Sequence, residues 1–261
     1  MQGPSPETGS GDPNFMLSLA RGLRVLDAFA EQPSLSVADI SRLSGLSRSS
    51  VGRCLYTLAA LGYVGERDGR YALQPGCLPL ACAFLTSTPL ATAGQAIAVG
   101  LRDRLQETVS LAVLDHRDPG RIIYVARAER NQVIAATLTV GSRLSSHCTS
   151  AGRVLLAALP PSERERWLAG ADLRACTDRT ITDPVRLSAE LDRVAAQRWS
   201  LVEEELEPGL RSLAVPVRSR TSSAVAALNV ATFVDAHDRE HLLETCLPEL
   251  RAAAMQIERA I

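Results

Sequence analysis

Residues 36–73 read SVADISRLSGLSRSSVGRCLYTLAALGYVGERDGRYAL, and the spacing within them decides the fold of the first part of the chain. Val37, Ile40 and Leu43 recur at helical intervals, Gly45 interrupts the run, and Val51, Leu55, Leu58 and Leu61 resume it. Ser36 and Ser47 stand where a hydroxyl caps a helix start. The pattern therefore predicts two short helices joined by a tight turn. Past Gly62, Tyr63-Val64 and Tyr71-Ala72-Leu73 read as strands around an Asp68-Gly69 turn. Two helices and a small hairpin make a winged helix-turn-helix, and the first functional expectation is DNA binding.

The residue chemistry agrees. The second helix opens Arg48-Ser49-Ser50, with Arg53 about one turn on, all pointing away from the apolar stripe as a helix in a major groove requires. Arginine clamps guanine or phosphate, and small hydroxyls allow close approach. Arg67 and Arg70 would tip the wing, and Ser36 and Arg21 complete the expected DNA contacts. Between residues 40 and 60 stand Arg42, Arg48 and Arg53 and no acid, whereas the whole chain carries a net charge of −1, so a basic footprint must be local. The competing reading is a small-molecule sensor whose helix-turn-helix serves protein pairing. Salt-dependent DNA binding separates the two.

Working outward, Leu17 to Glu31 reads as a helix with Leu19, Leu23, Leu26 and Ala30 along one side, a seam for a homodimer or homotetramer. Residues 1–14, rich in Gly, Pro, Ser and acid, read as a disordered tail with no secretory signal. The uncharged run 71–101 is long enough to span a membrane, but Pro75, Pro79 and Pro89 and scattered polar residues argue against a span. It reads instead as an apolar linker helix over 77–87, giving a winged domain at 15–75, a linker at 76–89 and a second domain at 90–261. The expected location is the cytoplasm, at the nucleoid, with no membrane partner.

The second domain mixes helix and strand. A helix near 90–107 leads into VSLAVLD, a turn at Asp118-Pro119-Gly120, and strands RIIYVARAE and QVIAATLTVG. Helices follow near 149–159, 161–169 and 187–198, then strands near 211–217 and 224–231 and a last helix near 238–260. The chain of 261 residues, 46% hydrophobic, suffices for two modest cores. All 28 basic residues are Arg, a bias of base composition. The six cysteines show neither C-x-x-C nor zinc-ligand spacing, so reduced thiols and no metal are expected.

Thr149 is a good N-cap for SAGRVLLAAL, and the unpaired amides of that helix start offer an anion site suited to a carboxylate. Arg143 and His147, just ahead of it, are candidate partners for the acid. Catalytic constellations are lacking. Cys148 beside His147 lies on extended chain, where neighbours face opposite ways. Glu203 and Glu205 lack a further oxygen-rich partner and read as a solvated edge rather than a metal site. No cofactor is implied, and the chain reads as a binding protein and not an enzyme.

Six blocks carry a resemblance: FMLSLARGLRVLDAF, ADISRLSGLSRSSVGRCLYTLAALGYV, CAFLTSTPLA, GSRLSSHCTSAGRVLLA, EEELEPGLRSLAVPV and AALNV. In order and spacing they resemble the IclR family of bacterial transcriptional regulators, more narrowly its PcaR/PcaU/PobR-like branch, over about residues 15–260. The resemblance implies an α+β chain: an N-terminal winged helix-turn-helix, a linker helix and a C-terminal GAF-like effector domain with an antiparallel sheet. It implies an operator of double-stranded DNA, a contact with RNA polymerase, and effector contacts at Ser150, Ala151, Val202, Ser212, Asn229 and Ala231. Relatives of the family that take small oxo-acids can have an acid at the position of Val202 and hydroxyls at those of Asn229 and Ala231. The departure here implies a larger, flatter guest, an aromatic or β-ketoadipate-like acid, and control of aromatic-acid catabolism, whether by activation or repression.

Overall fold

Ser36 opens the first predicted helix by a capping box: its Oγ accepts from the Asp39 amide, and the Asp39 carboxylate accepts from the Ser36 amide. In the computed structural model, which describes residues 12–30, 32–130, 138–219 and 224–261, that helix (α2) runs Val37–Ser44 behind α1, Leu17–Ala28. Gly45 ends α2 in the left-handed region at φ 69°, where a side chain is strained. Ser47 then accepts from the Ser50 amide to start α3, Arg48–Ala60. The helix-turn-helix therefore follows from two serine caps and one glycine.

Ile40, Val51, Leu55 and Leu58 bury with Val25, Phe29, Leu35 and Val64 in one small core. Leu43 and Leu61, expected in the same stripe, are exposed, since each falls at the end of its helix where the stripe rotates out. Strands β1 (Val64–Arg67) and β2 (Arg70–Leu73) pair around Asp68-Gly69, both at positive φ, the two-residue turn that matches strand twist. A short 3₁₀ turn, Pro75–Cys77, precedes α4, Leu78–Ser87. Thr88 separates it from α5, Pro89–Leu105, and no single helix among the described residues is long and apolar enough to cross a membrane. The chain divides into compact units Met1–Phe84 and Leu85–Ile261, the division falling inside the segment read as linker.

The second unit is built on an antiparallel six-stranded sheet: β3 Thr108–Leu114, β4 Arg121–Ala128, β5 Arg143–Ser145, β6 Ser200–Glu203, β7 Leu210–Arg218 and β8 Ala224–Phe233, in the order β5-β4-β3-β8-β7-β6. Its alternation sorts the faces. Val109, Leu111, Leu213, Val215, Leu228 and Val230 pack against α5 and the last helix, α10 (Leu247–Ala260). Ala112, Ile122, Tyr124, Ala214 and Ala227 face α6 (Ser150–Ala157), with α8 (Pro184–Gln197) outside it. Helix α7 spans Pro161–Gly170.

The α+β architecture expected from the sequence is the one observed, and the departures are local. The short strands β5 and β6 were not anticipated. The helix expected over 238–260 is α9 (Arg239–His241), a π segment (Leu242–Cys246) and α10, with Pro248, which lacks an N–H, at the last handover. Glu31, most of the expected tail 1–14, and residues 132–137 of the strand predicted at 132–141 lie outside the described residues, and the rest of that prediction, 138–141, is no strand but leads through a turn at 140–141.

Candidate nucleic-acid interface and effector cavity

The start of α3 is a polar ledge. Arg48, Ser49 and Arg53 are exposed, and the Ser47 hydroxyl lies 3.1 Å from that of Ser49 and 3.2 Å from that of Ser50. Ser49, Ser50 and Arg53 share a groove with Arg21, Leu19 and Leu23 of α1, so candidates far apart in sequence meet on one face. Arg67 stands at the wing tip with its side chain 94% exposed, next to Asp68. Two expected DNA contacts are occupied otherwise. The Ser36 hydroxyl donates to the Asp39 carboxylate and accepts from the Asp39 amide, and the Ser36 hydroxyl and amide, both donating to that carboxylate, hold it below its usual range. Arg70 folds back from the wing, donating to the Ser34 hydroxyl (3.1 Å) and carbonyl (2.6 Å), because β2 runs beside residue 35.

In the second unit a cavity opens at the start of α6. Thr149 caps the helix, accepting from the Gly152 amide at 3.2 Å and donating to the Ser145 carbonyl, which leaves the first amides of α6 without an intrahelical partner. Gly152 is required by close approach: a Cβ there would lie 2.2 Å from the Ser146 carbonyl oxygen. Ser150, Ala151, Ser212, Asn229 and Ala231 all line the cavity, five of the eight expected effector contacts. Ser150 is 1% and Asn229 3% exposed, yet Ser150 Oγ and Asn229 Oδ1 have no hydrogen-bond partner among the described residues. Two buried polar groups facing one cavity without partners call for a polar guest.

The cavity's cation is one that sequence reading missed. Arg127 lines it, donating from Nη1 to Ser110 Oγ (2.8 Å) and from Nε to Glu129 (2.9 Å), with its Cζ 5.4 Å from the Tyr124 ring centroid. Burial raises the Tyr124 phenol above its ordinary pKa, so at neutral pH it is a hydroxyl, and Arg127 opposes that rise. Arg130 also lines the cavity, but its counter-ion Glu107 is buried on the same lining at 3.0 Å, whereas the partner of Arg127, Glu129, is exposed and off the lining; Glu107 further accepts from Thr232 and faces His237 at 3.2 Å.

The remaining three expected contacts lie elsewhere. Arg143 sits on edge strand β5, where its guanidinium neutralises buried Asp115 at 3.2 Å. His147 is buried with Nε2 3.0 Å from the Arg174 carbonyl, and burial holds its pKa below the ordinary value, so it is a neutral ring and no counter-ion for an acid. Val202 is buried opposite Ser212 on β6 without lining the cavity. Glu203 is engaged by Arg211 and Arg239, and Glu205 by the buried Arg153, which also donates to the His147 carbonyl.

Comparison with known proteins covers nearly the whole chain. Residues 18–68 match the IclR helix-turn-helix domain and residues 82–259 match the C-terminal domain of bacterial transcriptional regulators of the IclR type. The chain is similar to the Pca regulon regulatory protein of Pseudomonas putida, 44% identical over 95% of this chain and 85% of that one. It is 30% identical to the p-hydroxybenzoate hydroxylase transcriptional activator of Acinetobacter baylyi, over 95% and 93% of the two chains. Among solved structures, an IclR homologue from Microbacterium hydrocarbonoxydans complexed with 4-hydroxybenzoate superposes at a TM-score of 0.74, 26% identical, covering 93% of this chain and 98% of that chain.

Proposed function

The chain belongs to the IclR family of bacterial transcriptional regulators, a family of DNA-binding proteins and not of enzymes, and from that premise we propose that it controls aromatic-acid catabolism genes in response to a hydroxybenzoate-type acid held in the cavity at the start of α6. The observation that carries this reading is the convergence of Arg127 with the unpartnered polar groups of Ser150 and Asn229 in one cavity. A carboxylate takes the guanidinium or the free amides of α6. A ring lies along Tyr124 and Ala231, and a phenolic hydroxyl meets Asn229 or Ser212. A hydroxybenzoate supplies acid, flat ring and hydroxyl together, whereas β-ketoadipate supplies no ring. The names of the relatives, with their pca regulon and 4-hydroxybenzoate, support the same class.

On DNA, Arg48, Ser49, Ser50 and Arg53 read the major groove, with Arg21 and Arg67 on phosphate or minor groove. A single winged helix binds weakly, so the working species is a homodimer or a pair of dimers, acting at the nucleoid and contacting RNA polymerase when it activates. The test is fluorescence anisotropy on the DNA upstream of its gene over a salt series, with and without 4-hydroxybenzoate. Tight, salt-dependent binding that the acid changes is expected. Ligand affinity with no DNA binding at any salt would return the helix-turn-helix to a pairing role, and DNA binding untouched by aromatic acids would overturn the effector class.

A further inference from the structure

Cys148 immediately precedes the Thr149 cap, is fully buried, and is used by neither proposed site. Its Sγ lies 3.7 Å from Sγ of Cys176, an exposed residue in the loop between α7 and α8. A disulfide needs about 2.05 Å, so closure asks for roughly 1.7 Å of approach, within reach of a loop side chain.

What each sulfur is attached to gives the pair its meaning. Cys148 leads directly into Ser150, on the α6 wall of the cavity. Cys176 donates its amide to Thr180 Oγ1 (3.0 Å), and Thr180 and Thr177 donate to the carbonyls of Glu205 and Glu204, both at 2.6 Å. The chain continues from there into Leu206 and Glu207, which form another wall of the cavity.

We infer that Cys148 and Cys176 are a reversible oxidation site, closed to a disulfide by a hydroperoxide, that clamps the α6 wall of the cavity to the wall at residues 204–207. Burial pushes the Cys148 thiol up to about 12, so it stays protonated and the exposed Cys176 meets the oxidant first. The Cys176 thiolate attacks the peroxide: an S–O bond forms, the O–O bond breaks, and the departing hydroxide takes a proton to leave as water. The Cys148 sulfur then displaces hydroxyl from the sulfenic acid: S–S forms, S–O breaks, and the thiol proton leaves with that hydroxyl as a second water. The two sulfurs lose two electrons and the peroxide gains them. A small thiol reverses the bond by attack at the exposed sulfur.

The cavity's role as an effector site is the reading above, but the test needs neither effector nor operator. The full chain is treated with hydrogen peroxide under native conditions. Its mass is expected to fall by two hydrogens, a non-reducing digest to link the Cys148 and Cys176 peptides, and dithiothreitol to reverse both. Hydrogen exchange is expected to slow together at residues 148–156 and 203–210. Cys176→Ser should lose the link and the slowing, while Cys82→Ser keeps them. Accumulation of Cys176 sulfinic acid without a link, a link to another cysteine, or a link with unchanged exchange at either segment would overturn the inference.

Discussion

At the residue scale the proposed effector site depends on Arg127, the lining guanidinium whose carboxylate partner is exposed. Arg127→Leu removes the cation and strands Ser110 and Tyr124, so affinity for 4-hydroxybenzoate by calorimetry is expected to fall at least tenfold with the fold unchanged by circular dichroism. Asn229→Leu should weaken the same titration while leaving DNA affinity of the ligand-free protein intact. An unchanged titration in both would move the pocket elsewhere. Arg53→Ala should weaken operator binding and shallow the slope of log affinity against log salt by about one. His147 gives a pH dependence whose sign is fixed by its burial. Its folded pKa lies below the unfolded value, so the unfolded chain binds the extra proton, and stability is complete above about pH 6.5 and declines as pH falls. In urea unfolding His147 should contribute at most about 1.4 kcal/mol per pH unit to the slope below that point, so the slope of His147→Gln should be the shallower of the two.

Elements were legible where the chain announces its own starts. Ser36, Ser47 and Thr149 cap three helices as their positions predicted, and Asp68-Gly69 turns the wing. Arg127 was illegible for a definite reason. The pairing of β3 with β4 slips between Leu111 and Ala112, so Val125 is an extra residue and the alternation changes phase. Tyr124 and Arg127, one even and one odd, therefore reach the same cavity, which strict period-two reading forbids. Arg143 and His147 looked like ligands because they flank the helix start, and only tertiary partners, Asp115 and the Arg174 carbonyl, reveal that they are spent. Strands of three or four residues such as β5 and β6 are too short for alternation to register. The element most exposed to a single change is α6: Gly152→Ala pushes a methyl into the Ser146 backbone, and a loss of about 1–3 kcal/mol in unfolding free energy is expected together with weaker effector binding. An alanine variant with full affinity would mean that the helix start relaxes freely.

At the scale of the whole molecule the open question is assembly. Helix α1 leaves Leu19 56% and Leu23 52% exposed, and Tyr56 and Leu61 beside them are exposed as well, an apolar face that a partner would cover. Leu23→Asp should shift sedimentation toward monomer and weaken operator binding far more than effector binding. A variant that stays assembled would place the seam elsewhere. Under the proposed function the effector is expected to change operator affinity by about 5- to 150-fold, the usual range of such coupling, and the operator to change effector affinity by the same factor.

The strand order carries a last consequence, for how the protein is made. Val109 pairs with Val230, so the centre of the sensor sheet joins its first strand to its last, and α10 must still pack behind them. Such remote pairing is slow and waits for nearly the entire chain, whereas the reading head closes on contacts between neighbouring elements. On the ribosome the head is complete while the sensor is still a fragment with open strand edges. A nascent chain cut short before β8 would therefore carry a finished DNA-reading head with nothing to govern it.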